Sequence, residues 1–215
     1  MKIRAEALLF DNDGTLVSSL ESVNRCWTLW AEEYGITAED FAAIGLHGRP
    51  AVEIAADLLP AALVPEALAR IEQLEVDDVP GGVEALPGTL ALLAGLPAER
   101  WAVVTSATRR LAEARLDEVG IRPKTMVCAD DVTRGKPDPE PYLLAARELG
   151  VDPARCVVFE DAPAGLRAGR AAGMTTVALA TTHQAGELDA DLVVENLSAL
   201  SVLVTDEGVE ISVRG

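Results

Sequence analysis

Six short apolar runs constrain this chain more than any other feature: ALLF at 7–10, WAVVT at 101–105, KTMVCA at 124–129, CVVFE at 156–160, TTVALA at 175–180 and DLVVEN at 191–196. They carry no polar face, so each has to be covered on both sides, as parallel strands between two helix layers are. The intervening segments read as helices. RRLAEARLDEVG stops at Gly120 and EPYLLAARELG at Gly150, and a glycine just past a helix relieves its left-handed last residue. Asp138-Pro139 fits an N-cap followed by proline in the first turn. Strand–helix–strand alternation of this kind predicts an α/β fold with a parallel, doubly wound sheet.

One stretch breaks the alternation. From Ser18 to Val83 only helical patterns occur. Ser18-x-x-Glu21 has the form of a capping box, and Leu20, Val23, Trp27, Trp30 and Tyr34 recur at three/four spacing, as a core-facing stripe does. The stretch ends in VPGGVEALPG, a hinge-like composition. The expected organisation is therefore a core of residues 1–17 and 84–215, with a helical insert over 18–83 placed after the first strand. The tail VEISVRG reads as a late edge strand.

Composition narrows the class of function. Asp and Glu number 35 against 18 Lys and Arg, a net charge of −17, and so acidic a surface repels nucleic acid and anionic membrane. No apolar run reaches membrane-spanning length. MKIRAEALLF meets an acidic residue at once, so no secretory signal is expected. Three cysteines, Cys26, Cys128 and Cys156, do not make a disulfide framework. The expectation is a cytoplasmic protein, monomeric or weakly dimeric, with neither nucleic-acid nor membrane partners.

Polar clusters stand at the ends of four predicted strands, where open α/β sheets bind their ligands. ALLF runs directly into Asp11-Asn12-Asp13-Gly14-Thr15-Leu16. Residues i and i+2 of an extended chain share a side, so Asp11 and Asp13 can face one site. Their mutual repulsion calls for a hard cation such as Mg²⁺. Asp-Gly is also an ordinary turn dipeptide. Thr105-Ser106 suits a phosphate oxygen and equally a helix N-cap. Lys136, in RGKPDP, is either held by its stiff loop or a solvated surface lysine. Glu160-Asp161 precedes a helix whose dipole favours acids in any case. Turns and caps explain each cluster singly, but not the placement of all four.

In that order, DNDGTL, the VTS strand end, GKPDPEPY and VVFEDAPAG resemble the four motifs of the haloacid-dehalogenase-like hydrolases. WAVVTSATR, GKPDPEPYL, VVFEDAPAG and ALATTH look most similar to the small-sugar and polyol phosphatases within them, which are related to β-phosphoglucomutase. The resemblance implies a Rossmann-like core with a helical cap inserted after motif one, and a Mg²⁺-dependent phosphatase acting on a small phosphorylated metabolite. By the same resemblance Asp11 is the nucleophile, and Asp13 is the general acid and then base, its carbonyl also meeting the metal. Asn12, Thr105, Ser106 and Lys136 bind the phosphoryl group. Asp161 and, directly or through water, Glu160 complete the metal site with Asp11. His47 and Arg49 of the insert are the candidate substrate contacts; the alternative there is an ordinary helix–helix turn. His183 reads as a surface loop residue.

The runner-up activity is a phosphosugar mutase of the β-phosphoglucomutase type. That relative carries a histidine shortly after motif one. SSLESVNRCW has none, with Val23 near that place, and this favours hydrolysis. A phospho-accepting signalling domain also combines an aspartate, Mg²⁺, a hydroxyl and a lysine. Such domains are shorter, lack an insert, and place the acceptor after a separate acidic pair.

Overall fold

The computed structural model describes residues 2–44 and 51–214. The chain runs through β1 (Lys2–Ala5), β2 (Ala7–Phe10) and β3 (Val17–Ser18). Four helices follow: α1 (Leu20–Glu33), α2 (Ala38–Ile44), α3 (Ala51–Leu58) and α4 (Val64–Asp77). Next come β4 (Glu84–Ala85), α5 (Thr89–Ala94), β5 (Trp101–Val104), α6 (Arg109–Glu118), β6 (Met126–Val127) and α7 (Glu140–Leu149). The chain finishes with β7 (Cys156–Glu160), α8 (Pro163–Ala171), β8 (Thr175–Leu179), β9 (Leu192–Val194), β10 (Leu200–Thr205) and β11 (Gly208–Val213).

The apolar runs form one parallel six-stranded sheet in the order β6-β5-β2-β7-β8-β9. Alternate residues feed opposite faces, as strand geometry requires. Leu8 and Phe10 pack with Trp101, Val103, Val157 and Phe159 on one side. Ala7 and Leu9 pack with Val104, Val158, Tyr142 and Ala145 on the other. Small residues on that second face let α7 and α8 approach closely: a Cβ on Gly169 would lie 3.1 Å from Val158. Phe10 and Phe159 stack at 4.7 Å between centroids, both fully buried. Burial of each such side chain contributes ~1.5–3 kcal/mol.

The α1–α4 helices have a core of their own, built on Trp27, Trp30, Ile54 and Ile71. The indole N–H of Trp30 donates to the Ala67 carbonyl at 2.8 Å, tying α1 to α4. Among the described residues no helix is long and apolar enough to cross a membrane.

Several local expectations are corrected. The tail strand is β11, and it lies in the middle of a second, antiparallel sheet, β1-β11-β10, not at an edge. That sheet was illegible because β10 leaves most of its side chains at least partly exposed in a hairpin with β11, and β1 reaches β11 only across nearly the whole chain. ALLF is β2, the first strand of the parallel sheet in chain order, and the helices follow it by way of the short β3. Ser18, read as a helix cap, and Glu84–Ala85, read within a hinge-like stretch, instead belong to a two-stranded ribbon of Val17–Ser18 with Glu84–Ala85 that joins the helices to the sheet. The Ser18 capping box does not form. Ser19 is the N-cap of α1, and its hydroxyl goes to Asp13 instead of to the helix. Leu20 leaves the core stripe and is 38% exposed. Asp138 sits one residue earlier than expected: Pro139 is the N-cap of α7, and the Asp138 carboxylate accepts from the Glu140 N–H at 3.0 Å.

Candidate active site

β2 lies between β5 and β7, and the chain leaves it toward β5 and β6 before returning to β7 on the other side. Ligand crevices in open sheets form at such a reversal, beyond the strand C-termini. The Asp11 N–H extends the β2 ladder by donating to the Phe159 carbonyl at 3.0 Å. The chain then folds back sharply, with the Asn12 carbonyl accepting from Leu16 at 2.8 Å and Val17 at 3.0 Å. Gly14, at φ +83°, makes that turn, and a Cβ there would run into the Asp161 carboxylate.

Asp11, Glu160 and Asp161 are brought together, all buried, with one oxygen of each within 4.8 Å of the others. Lys136 reaches into them from the loop before α7. Its Nζ donates to Asp11 Oδ1 at 2.6 Å, Glu160 Oε1 at 2.7 Å and the Val104 carbonyl at 2.8 Å. Lys136 is 9% exposed, so it is held by its loop. Glu140 fixes that loop by accepting from the N–H groups of Thr133 and Arg134 at 2.9 and 3.0 Å. The other Glu160 oxygen accepts from the N–H groups of Asp161 and Ala162, both at 3.2 Å, at the N-terminus of α8. Gly165 makes room for that carboxylate, since a Cβ there would overlap it.

One ammonium among three buried carboxylates leaves negative charge uncompensated. Burial drives the Asp11 carboxyl well above its usual range, although Lys136 pulls the other way. Burial and the neighbouring Glu160 raise Asp161 to about 7. The ammonium of Lys136 is disfavoured by burial, but Asp11 and Glu160 outweigh this and hold it protonated. An all-oxygen donor set with excess negative charge fits a hard divalent cation. The structure therefore supports a metal at Asp11, Glu160 and Asp161 by the chemistry of its donors.

Asp13 stands apart from that cluster. Its Oδ1 takes Arg115 at 2.9 Å and the Ser19 hydroxyl at 2.7 Å, and its Oδ2 takes the Asn12 amide at 3.2 Å. Thr105 is buried, its Oγ1 accepting from the Ala107 N–H at 3.1 Å, whereas Ser106 is exposed and lines the cavity. The cavity, about 540 Å³, has Asp11, Lys136 and Asp161 on the sheet side and Trp27 and Ile71 on the helix side. His47 and Arg49 lie outside the described residues. His183 sits in the loop after β8, half-buried, where it lines the cavity and meets the Thr182 hydroxyl at 3.0 Å. The three cysteines are buried in the core, which pushes their thiols up to about 11, 12 and 11 for Cys26, Cys128 and Cys156.

Sequence reasoning missed four groups here. Tyr142 donates its hydroxyl to Glu160 Oε1 at 2.9 Å. Thr182 donates to Asp161 Oδ2. Arg115 and Glu75 pair at 3.1 Å behind Asp13. For the last two a signal existed: Ala67, Ile71 and Glu75 recur at four-residue spacing on the buried face of α4, as Leu111 and Arg115 do on α6. A charge on an apolar stripe is unexplained until it has a partner.

The parallel sheet thus draws carboxylates and a lysine together at its reversal point, under a set of helices. Residues 5–173 match the family model described as haloacid dehalogenase-like hydrolase, and the chain belongs to that family. Hexitol phosphatase A of Escherichia coli is 38% identical, over 96% of this chain and 98% of its own. Glycerol-1-phosphate phosphohydrolase 2 of Saccharomyces cerevisiae is 34% identical, over 94% of this chain and 86% of its own. The crystal structure of a hydrolase from Pseudomonas syringae superposes with a TM-score of 0.80 at 25% identity, over 90% of this chain and 94% of that one.

Proposed function

We propose that this chain is a Mg²⁺-dependent, cytoplasmic phosphatase that hydrolyses a small sugar or polyol phosphate through an aspartyl-phosphate on Asp11. The observation that carries the reading is the Lys136 ammonium bridging Asp11 and Glu160 beside Asp161 on the floor of the cavity. Phosphoryl transfer asks mainly for positioning and charge neutralisation, and both are concentrated there.

A carboxylate oxygen of Asp11 attacks phosphorus as the bond to the substrate oxygen breaks, and Asp13 gives its proton to that leaving oxygen. Asp13 then takes a proton from the water that attacks the phospho-aspartate. The Asp11–phosphorus bond breaks, inorganic phosphate leaves, and both carboxyls are restored. Lys136 offsets the charge that would otherwise keep Asp11 and the phosphate apart, and Ser106 offers its hydroxyl to a phosphoryl oxygen. Asp11, Asp161 and Glu160 would hold the divalent ion, which would add to the neutralisation of the phosphoryl charge. The helices over residues 18–83 act as the cap that covers the cavity and excludes bulk water.

Hydrolysis is favoured over the mutase reaction because α1 presents Val23 to the cavity and has no histidine in its own sequence to serve the protected transfer a mutase needs. The names of the relatives support a sugar or polyol ester. The test is release of inorganic phosphate from a panel of sugar and polyol phosphates, with and without Mg²⁺, while NMR follows any isomerised ester. Metal-dependent release that Asp11→Asn lowers by orders of magnitude is expected. Undiminished release by that variant, or isomerisation outrunning release, overturns the reading.

A further inference from the structure

Arg115 is the one buried arginine among the described residues, at 4% exposure. From α6 it reaches two carboxylates on two different parts of the fold: Asp13 behind β2, at 2.9 Å, and Glu75 on α4, at 3.1 Å. All three side chains line the cavity, and Asp13 is the most open of them, at 27%, against 10% for Glu75 and 4% for Arg115. Burial works against both charged partners. It lowers the guanidinium's affinity for its proton, but Asp13 and Glu75 reverse this and leave it firmly charged. It raises the Glu75 carboxyl against the pull of Arg115. Neighbouring contacts between α4 and α6, from Thr108 to Glu72 and from Arg110 to Gln73, sit nearer solvent and add little. The guanidinium is a rigid planar fork. With one arm fixed by Glu75, the other can hold the Asp13 oxygen in only a narrow range of places. The mechanism proposed above accounts for Asp13 but gives Arg115 and Glu75 no part.

Building on that mechanism, we propose that Arg115, anchored by Glu75 of α4, is a positioning residue that sets where the Asp13 carboxyl stands for proton transfer. The helical insert thereby contributes to the proton-transfer geometry as well as covering the site. The chemical consequence is selective. Expelling an alkoxide from a sugar or polyol phosphate needs the proton from Asp13. Expelling p-nitrophenolate does not, whereas hydrolysis of the aspartyl-phosphate needs Asp13 as base for either ester.

Pre-steady-state stopped-flow and quench-flow kinetics, with substrate in excess, on purified, folded Arg115→Gln, Arg115→Lys and Glu75→Gln, with Mg²⁺, p-nitrophenyl phosphate and glycerol 1-phosphate, test this. Arg115→Gln is expected to release about one equivalent of p-nitrophenolate in a burst near the wild-type rate, followed by a steady rate ~100-fold slower, the size of a lost general acid–base contribution. On glycerol 1-phosphate the first turnover itself should slow ~100-fold, with KM little changed. Arg115→Lys should recover part of the loss, and Glu75→Gln should show the same selectivity at smaller size. Equal slowing of the burst and the steady phase, or no slowing, overturns the proposal. If Arg115→Gln does not fold, the burst-to-steady ratio of Glu75→Gln decides in the same way. Failure of the wild-type protein to release phosphate from either ester would instead sink the proposed function.

Discussion

Replacing Lys136 by methionine keeps the side chain's length and apolar stem and removes only its charge and its donors. Three short contacts vanish: those to Asp11 Oδ1, Glu160 Oε1 and the Val104 carbonyl. The partners cannot turn to water, because Asp11 is 8% and Glu160 1% exposed. Taking one member from a buried ion pair costs ~3–5 kcal/mol. In a chain of this size each kcal/mol moves Tm by ~2–4 °C, so Lys136→Met should melt roughly 6–20 °C below wild type at about pH 8. The pH dependence follows from linkage. Without the ammonium, the folded state favours protonated carboxyls more strongly than the unfolded state does. Each extra proton so bound lowers stability by ~1.4 kcal/mol per unit of rising pH. The deficit should therefore shrink at about pH 5, where those protons are readily taken up, and widen toward pH 8. Circular-dichroism melts of both proteins across that range measure it. A Tm within about 2 °C of wild type at pH 8 would mean that the carboxylates do not depend on Lys136.

The remaining predictions concern the same acids. In Gly165→Ala the new methyl meets the Glu160 carboxylate, so the acid must move; Mg²⁺ affinity, read by isothermal titration, should fall by ~10-fold or more, while an unchanged affinity would place Glu160 outside the metal site. Asp161, raised to about 7, holds a proton that a cation must displace. Its folded pKa exceeds the unfolded one, so it favours the folded state at low pH and loses that contribution as pH rises from about 4 through about 7. Added Mg²⁺ should thus raise Tm more at about pH 8 than at about pH 5.5, with proton release detectable near neutrality; equal shifts at both would contradict this.

What the sequence determined by itself is local. Short two-sided apolar runs alternating with helical segments read as covered parallel strands, so the six-stranded sheet was readable, and so was the convergence of residues at its strand ends. Asp11, Glu160 and Asp161 each immediately follow or end such a run, and the sheet's own geometry then draws them together. Lys136 could be named as a candidate but not as a buried bridge, because its depth depends on how Glu140 clamps the loop around it. The second sheet, the Tyr142 and Thr182 hydroxyls on the acids, and the Asp13–Arg115–Glu75 chain required the tertiary structure. Arg115 stands 102 positions from Asp13 and 40 from Glu75. No periodicity links residues so far apart: a helical pattern tells which side chains turn inward, and only packing α4 against α6 decides which buried charges meet.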